Sequence, residues 1–336
     1  MVTHGRCWAR AALAGNPSDG YGGFVVSVPV RSVAATVRVE PAERFEVVHS
    51  PTADDTFADL AALVDHLDSV GYDDARRLVL ATVRELVRRC GVALRPLRID
   101  VETTIPRSVG LAGSSAIVVA TVRALLEATD RGWGSIPATH GLDDPARLAA
   151  LALGVERDEL GIAAGLQDRL VQSHGAPVAM DFADGDGTTA ATTVLADLDR
   201  TLLERPLLVA VRQAAAEPSG VVHSGLRERW EADARGTRAT MARIADEGRG
   251  AAAAVRAGDL DELGRAMDRT LELRAGLVHL DAALSAAAAA VRAAGGHANW
   301  SGSGGAITVL PPPEEAAAAA LVAELETAHG CSILRA

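Results

Sequence analysis

The segment that most constrains the fold is a glycine- and serine-rich turn set between a strand and an apolar helix. Residues 97–105 read LRIDVETTI, a strand pattern, and residues 106–128 read PRSVGLAGSSAIVVATVRALLEA. Successive backbone amides in such a turn point into one concavity, and the following helix places the positive end of its dipole there. The segment therefore predicts a phosphate-binding element ahead of a buried helix. Taken alone, it is equally compatible with a serine that only caps the helix.

The charge composition restricts the chemistry further. The chain has 33 basic and 44 acidic residues and a net charge of -11. A general nucleic-acid binder needs a concentrated basic surface, so we expect no nucleic-acid partner. All 33 basic residues are arginine. The absence of lysine excludes a Schiff-base lysine and the lysine of a Walker-type loop, so phosphate chemistry must use arginine, backbone amides or metal.

Length and apolar content predict a folded chain of about two domains. The chain has 336 residues, of which 49% are hydrophobic, enough to bury a sizeable core. Its three cysteines (Cys7, Cys90 and Cys331) lie far apart and form neither a metal-ligand spacing nor a disulfide framework. No long uncharged apolar span and no leader-like start are present, so we expect a cytoplasmic protein without a membrane partner. The oligomeric state stays open.

Strands and helices alternate along the chain without a strict βαβ period, which is typical of an α+β fold. Residues 6–48 predict strands joined by one large loop, and residues 56–70 and 74–90 predict amphipathic helices. Asp143 or Asp144 is expected to cap a helix that starts at Pro145. The stretches TTVLADL and PLLVAV predict strands around a domain boundary near residues 190–205, and helices are expected after them.

Four segments, in order along the chain, resemble motifs of the GHMP kinases, a superfamily of small-molecule kinases. ARAALAGNPSDGYGG (residues 9–23) resembles their first motif, PRSVGLAGSSA (106–116) the second and ANWSGSGGAITV (298–309) the third. GVERDELGIAAGLQDRLVQ (154–172) resembles the segment that supplies the metal ligand and the catalytic aspartate. Within the superfamily the chain is most similar to the glucuronokinases, on GNPSDGYGG, the lengthened second motif and EPSGVVHSGLRERW (217–230).

The resemblance implies a two-domain α+β GHMP kinase fold with the active site in a cleft between the domains. Residues 1–200 would form a ribosomal-protein-like, ATP-binding domain, and residues 201–336 a ferredoxin-like domain. The implied activity is phosphorylation of a sugar at its anomeric hydroxyl by ATP with Mg²⁺, glucuronate being the favoured acceptor. Another sugar or small alcohol (a heptose, galactose or mevalonate) and a catalytically silent sugar sensor remain alternatives.

The resemblance assigns the reacting groups residue by residue. Asp168 matches the catalytic aspartate, with a helix cap as its alternative role, and Arg10 matches a cation beside the transferred phosphoryl group. Glu156, twelve residues before Asp168, and Ser115 match the magnesium ligands. Ser114 replaces Ser115 if the motif shifts by one residue, because GLAGSSA is one residue longer than the common GLGSSA form.

The remaining assignments concern the nucleotide and the sugar. The nucleotide would contact Pro106, Gly110, Leu111, Ala112, Gly113, Ser114, Ser115 and Ala116, and the sugar would contact Asn16, Asp19, Tyr21 and Gly304. Asp19 is alternatively an Asx-turn residue of NPSDG. A uronic acid also needs an arginine for its carboxylate, and Arg227 and Arg229 are candidates. Phe24 stands where close relatives are expected to have a basic residue.

Overall fold

The computed structural model describes residues 1–49, 53–72, 76–137, 140–183, 188–203, 205–215, 219–233, 236–302 and 304–336. They divide into two compact units, each made of several chain segments. Unit 1 comprises Met1–Trp8, Val33–Ile105 and Gly113–Ala164. Unit 2 comprises Ala9–Ser32, Pro106–Ala112 and Gly165–Ala336. The division into domains at residue 200 stays a prediction, made from sequence motifs.

The secondary structure is mixed, which confirms the predicted α+β class. The strands are β1 (Thr3–Ala14), β2 (Phe24–Pro41), β3 (Phe45–His49), β4 (Ala53–Phe57), β5 (Ala93–Leu94), β6 (Leu97–Thr103), β7 (Gly134–Ser135), β8 (Val178–Asp181), β9 (Ala191–Val194), β10 (Leu208–Val211), β11 (His297–Ser301), β12 (Ala306–Leu310) and β13 (Ser332–Arg335). The helices are α1 (Leu60–Val70), α2 (Arg77–Cys90), α3 (Gly113–Asp130), α4 (Pro145–Gly154), α5 (Leu166–His174), α6 (Ala196–Thr201), α7 (Ser219–Glu231), α8 (Thr237–Ala257), α9 (Leu260–Ala275), α10 (Ala282–Ala293) and α11 (Glu315–Thr327). Within the described ranges, no helix is both long enough and apolar enough to span a membrane.

Unit 1 is built on a small sheet and the helices that cover it. The second half of β2 pairs antiparallel with β6, β3 pairs parallel with β6, and β4 forms the outer strand beside β3. Helix α3 buries apolar residues along most of its length, as its sequence predicts. Asp144, rather than Asp143, caps α4 by accepting hydrogen bonds from the amides of Ala146 and Arg147.

Unit 2 has an antiparallel sheet in the order β11-β12-β10-β13. Buried side chains of α10 and α11 form one core cluster with it, and Trp300 of β11 belongs to this cluster. A second ladder joins the first half of β2 to β8 and β8 to β9. Helices α8 and α9 lie next to each other along the chain and pack together.

Several elements differ from the sequence expectations. The strand expected over TTVLADL is wrong in its second half, because β9 ends at Val194 and α6 begins at Ala196, burying Leu198. Strands β4, β5 and β7 were not expected, and the helix expected over residues 56–70 begins only at Leu60 because β4 extends to Phe57. The α-helix expected to run from Pro145 to about Glu156 ends at Gly154, and Val155–Glu159 forms a single π-helical turn.

Candidate active site

In unit 2, the carboxylate of Asp168 lies between two buried guanidinium groups. Asp168 is in the first turn of α5, and Arg10 is on β1. Arg10 Nη2 donates a hydrogen bond to Asp168 Oδ1, and Arg169 Nη1 lies 3.6 Å from Asp168 Oδ2. The Asp168 side chain is 23% exposed, whereas those of Arg10 and Arg169 are 5% and 4% exposed. The carboxylate is therefore held in one orientation while it stays accessible from one side.

The same two elements hold the predicted phosphate-binding turn. The amide of Arg10 donates to Leu111 O at 3.1 Å, and Arg10 Nη1 lies 3.4 Å from Gly110 O. Gln172 of α5 donates from Nε2 to Ala112 O at 2.8 Å. Because the carbonyl oxygens of residues 110–112 accept bonds within the protein, they are turned away from any ligand. This arrangement suits an anion, which needs N–H donors rather than oxygen neighbours.

The turn itself has an unusual backbone. Ser108, Gly110 and Ala112 all have positive φ, at 59°, 76° and 59°. A positive φ is uncommon for residues other than glycine, and such residues cluster at functional sites. Leu111 is buried, so only its backbone is available to a ligand.

The glycine-rich turn of the third motif contacts this element within unit 2. A Cβ atom placed on Gly302, whose φ is +58°, would lie 2.3 Å from Gly110 O. A Cβ atom on Gly305 would lie 2.8 Å from Val109 Cα. The two glycine-rich turns thus approach so closely that a side chain at Gly302 is excluded. Gly304, a predicted sugar contact, is buried in the same turn.

Arg274, a buried arginine that no sequence motif marks, binds the third motif. Arg274 of α9 donates to Trp300 O at 3.0 Å and to Gly302 O at 2.5 Å. Burial lowers the pKa of Arg274 to about 10, an effect that the negative charge of Asp19 opposes. Asn16 also donates to Trp300 O, at 2.9 Å. Asn16 is buried and bonded to the third motif, and its contact with substrate stays a prediction.

The other two predicted sugar residues lie in a one-turn 3-10 helix, Ser18–Tyr21, and are partly exposed. A Cβ atom on Gly165 would lie 3.4 Å from Asp19 Oδ2. Since Gly165 directly precedes α5, Asp19 faces the turn of the helix that carries Asp168. The ring of Tyr21 packs on that of Trp230, with centroids 4.7 Å apart.

In unit 1, Ser115 and Glu156 are both fully buried. Ser115 is in the first turn of α3, and Ser114 beside it is half-buried. Glu156 lies in the π-helical turn, closed by a bond from Leu160 N to Val155 O at 3.2 Å. Single π-turns inside helical segments are frequent at functional sites. A hydroxyl and a carboxylate are hard oxygen donors, so their chemistry fits Mg²⁺.

Helix α2 holds the far end of this turn by ion pairs. Arg84 and the hydroxyl of Tyr72 both donate to Glu159 Oε1. Arg89 Nη2 donates to Asp158 Oδ2 at 3.1 Å. Among the described residues, no group of three or more His, Cys, Asp or Glu side chains is placed to hold a metal ion. Mg²⁺ commonly takes few protein ligands and completes its shell with water and phosphate oxygens, so the predicted pair of Ser115 and Glu156 needs no third side chain.

Two family models and two curated relatives match the chain. The models "GHMP kinases N terminal domain" and "GHMP kinases C terminal" match residues 77–176 and 251–326. The chain is 32% identical over 282 residues to a protein of Arabidopsis thaliana named probable glucuronokinase 2, covering 80% of this chain and 72% of that protein. The chain belongs to the GHMP kinase family. The resemblance seen in its motifs is thereby confirmed.

Further comparisons agree with membership in the GHMP kinase family. Glucuronokinase 1 of Arabidopsis thaliana is 33% identical over 231 residues, which covers 67% of this chain. The aligned part spans 61% of the length of that relative. A crystal structure of the Methanococcus jannaschii mevalonate kinase matches with a TM-score of 0.75 at 13% identity, over 100% of this chain and 97% of that one. At this identity the structural match confirms the fold alone.

Proposed function

We propose that the protein is a sugar kinase that transfers the γ-phosphoryl group of ATP to the anomeric hydroxyl of glucuronate, giving glucuronate 1-phosphate and ADP. The observation that carries the proposal is the Asp168 carboxylate, partly accessible and held by Arg10 and Arg169, in a chain of the GHMP kinase family. The names of the two glucuronokinase relatives support the choice of acceptor.

The proposed chemistry requires little beyond positioning and charge stabilisation, as is general for phosphoryl transfer. Asp168 accepts a hydrogen bond from the anomeric hydroxyl and takes its proton as the new O–P bond forms. Arg10, fixed by its bonds to Asp168 and Gly110 O, offers positive charge to the oxygens on which negative charge develops. One Arg10 donor, Nε, is buried without an acceptor among the described residues, which suits a ligand oxygen.

The nucleotide would lie on the turn of residues 106–112, in which the carbonyl oxygens of residues 110–112 are engaged within the protein, and at the start of α3. Ser115 and Glu156 are the proposed ligands of Mg²⁺. When bound, magnesium–ATP supplies the phosphoryl group and neutralises part of its charge. The absence of lysine from the chain assigns every other cationic role to arginine.

The test is release of ADP with magnesium and ATP against a panel of free sugars and uronic acids, with the product identified by phosphorus NMR as a 1-phosphate. We expect glucuronate to be the preferred acceptor. Asp168→Ala should lower kcat by about 100-fold or more. The matched control is Asp197→Ala, which removes an exposed carboxylate that also pairs with an arginine, Arg200, and should leave kcat unchanged.

Each alternative has its own outcome in this assay. Turnover of neutral hexoses without turnover of uronates would refute the acceptor, and full activity of Asp168→Ala would refute the role of that residue. Binding of sugar and nucleotide without any release of ADP would identify a sensor instead of an enzyme.

A further inference from the structure

A kinase that acts on a uronic acid must recognise a carboxylate where a neutral hexose has a hydroxymethyl group. A guanidinium is the natural partner, because its planar fork binds a carboxylate through two hydrogen bonds. Phe24 and not a basic residue directly follows the first motif, so the cation must come from another part of the chain. The chain has 33 arginines, and they differ in how far their guanidinium groups are already engaged within the protein.

Most guanidiniums of unit 2 near the first motif are already engaged. Arg10 and Arg169 are bound to Asp168 and to backbone carbonyls. Arg274 is buried and donates to two carbonyl oxygens. Arg229, one of the two candidates from the sequence, donates from Nη1 to Leu277 O at 2.6 Å.

Two exposed arginines lie over aromatic rings of the first-motif segment. Arg249 Cζ lies 5.7 Å from the ring centroid of Phe24, but its Nη1 donates to Asp246 Oδ1 at 2.9 Å. Arg227 Cζ lies 5.2 Å from the ring centroid of Tyr21. Among the described residues, Arg227 forms no hydrogen bond or ion pair, so its fork has no carboxylate partner within the part of the chain that the structure describes.

Arg227 lies against an aromatic pair formed by Tyr21 and Trp230. Tyr21 packs against both Arg227 and Trp230, which are three residues apart on α7, and Trp230 belongs with Tyr21 to a cluster around Leu226 and Met241. A guanidinium that lies on an aromatic face is attracted through that face and keeps its N–H edge available. Arg227 is thus held in place without using the donors that a carboxylate needs.

The ring that holds Arg227 belongs to the segment predicted to bind the sugar. Tyr21 and Asp19 share the one-turn helix Ser18–Tyr21, and Asp19 faces the turn that leads to Asp168. Burial raises the pKa of Tyr21, Arg227 opposes this change, and Asp19 and Glu231 add to it. Tyr21 therefore keeps its hydroxyl proton at neutral pH and is a second donor beside Arg227.

We propose that Arg227, lying on the face of Tyr21, binds the substrate carboxylate and sets the preference for a uronic acid over a neutral sugar. This inference rests on the proposed function. It assigns specificity to one guanidinium and ranks Arg229 and Arg249 below it, because each of these already donates from Nη1 within the protein.

The test compares glucuronate with glucuronamide, which has the same shape without the charge, and reports the ratio of their kcat/KM values. A charge-assisted pair contributes on the order of 10- to 100-fold to this ratio. We expect the wild-type protein to show a preference of that size, Arg227→Gln to bring the ratio close to one, mainly by raising KM for glucuronate, and Arg227→Lys to restore part of it. The matched control is Arg249→Gln, which should keep the wild-type ratio.

The ratio separates the possible failures. A variant that is merely less stable lowers both values and leaves their ratio unchanged, which would overturn the inference. So would loss of the preference in Arg249→Gln instead of Arg227→Gln. If the wild-type protein phosphorylates neutral sugars but neither glucuronate nor glucuronamide, the proposed acceptor itself is refuted. If it prefers glucuronate and Arg227→Gln keeps that preference, the proposed function stands and the role of Arg227 is refuted.

Discussion

Replacing Asp168 by Asn tests whether the proposed catalytic carboxylate also stabilises the fold. The substitution keeps the shape of the side chain and removes its charge. Arg10 and Arg169, whose side chains are 5% and 4% exposed, then face a neutral amide. Breaking a buried ion pair by removing one partner costs about 3–5 kcal/mol, because a buried charge is left uncompensated.

The expected cost is smaller than that range, since the Asp168 side chain is 23% exposed and water reaches one side of it. We expect Asp168→Asn to lower the free energy of unfolding by about 2–3 kcal/mol. The internal comparison is Asp197→Asn, whose partner Arg200 is 80% exposed and which should change stability by less than about 0.5 kcal/mol.

Urea denaturation at low and at high salt measures both variants. Salt screens exposed pairs much more than buried ones, so the cost of Asp168→Asn should persist at high salt. Equal stability of Asp168→Asn and the wild-type protein would refute the reasoning, because the two buried arginines would then not depend on this carboxylate. Loss of kcat in a variant of unchanged stability would assign Asp168 to chemistry alone.

Three further predictions follow from single residues. Ala112→Gly should raise the free energy of unfolding by about 0.5–1 kcal/mol in thermal melts, because φ at Ala112 is +59° and glycine adopts a positive φ without steric cost. The control is Ala116→Gly within α3, which should lower the free energy of unfolding by about 1 kcal/mol. All three cysteines are buried, and burial raises the pKa of Cys7 to about 12. The native protein should therefore not react with DTNB at pH 8, whereas the unfolded protein should react at three thiols. Burial alone would raise the pKa of Asp268, but hydrogen bonds from His297 and from the Ala298 amide hold this pKa below its ordinary value of 3.8. The stability that Asp268 contributes should therefore be complete above pH 3.8 and be lost as the pH falls through the lower pKa of the folded protein. Asp268→Asn should flatten the acid limb of a curve of unfolding free energy against pH.

The parts of the fold and of the candidate site that depend on local sequence could be predicted. Asp144 caps α4 through the amides of the next few residues, and the turn of residues 106–112 leads directly into α3. Both depend on neighbours along the chain, so the residue types alone carry the information. The same holds for Asp168, whose place in the first turn of α5 follows from its own segment.

The parts that depend on distant partners were not predictable. In the sequence, Arg274 resembles any other arginine of an amphipathic helix. The acceptors that allow its guanidinium group to be buried are carbonyl oxygens 26 and 28 residues further along the chain. The π-helical turn continues the residue pattern of α4, while the ion pairs that hold Asp158 and Glu159 come from α2. A one-residue expansion of a helix depends on such contacts and has no signature in the residues that form it.

Arg274 also shows why a chain without lysine can place cations in its interior. Its fork donates from Nη1 to Trp300 O and from Nη2 to Gly302 O, two acceptors on the strand and turn of the third motif. Trp300 O also accepts a bond from Asn16, so the bond to Gly302 O is the one that a lysine, with one nitrogen and no planar fork, would lose. Arg274→Lys should therefore cost about 1–3 kcal/mol of unfolding free energy. Because Gly302 packs against Gly110, we expect the same substitution to loosen the contact between the two glycine-rich turns and to weaken binding of ATP, measured by calorimetry. Arg256→Lys on the exposed end of α8 is the control. Unchanged stability and unchanged affinity for ATP in Arg274→Lys would show that the second hydrogen bond does not hold the third-motif turn.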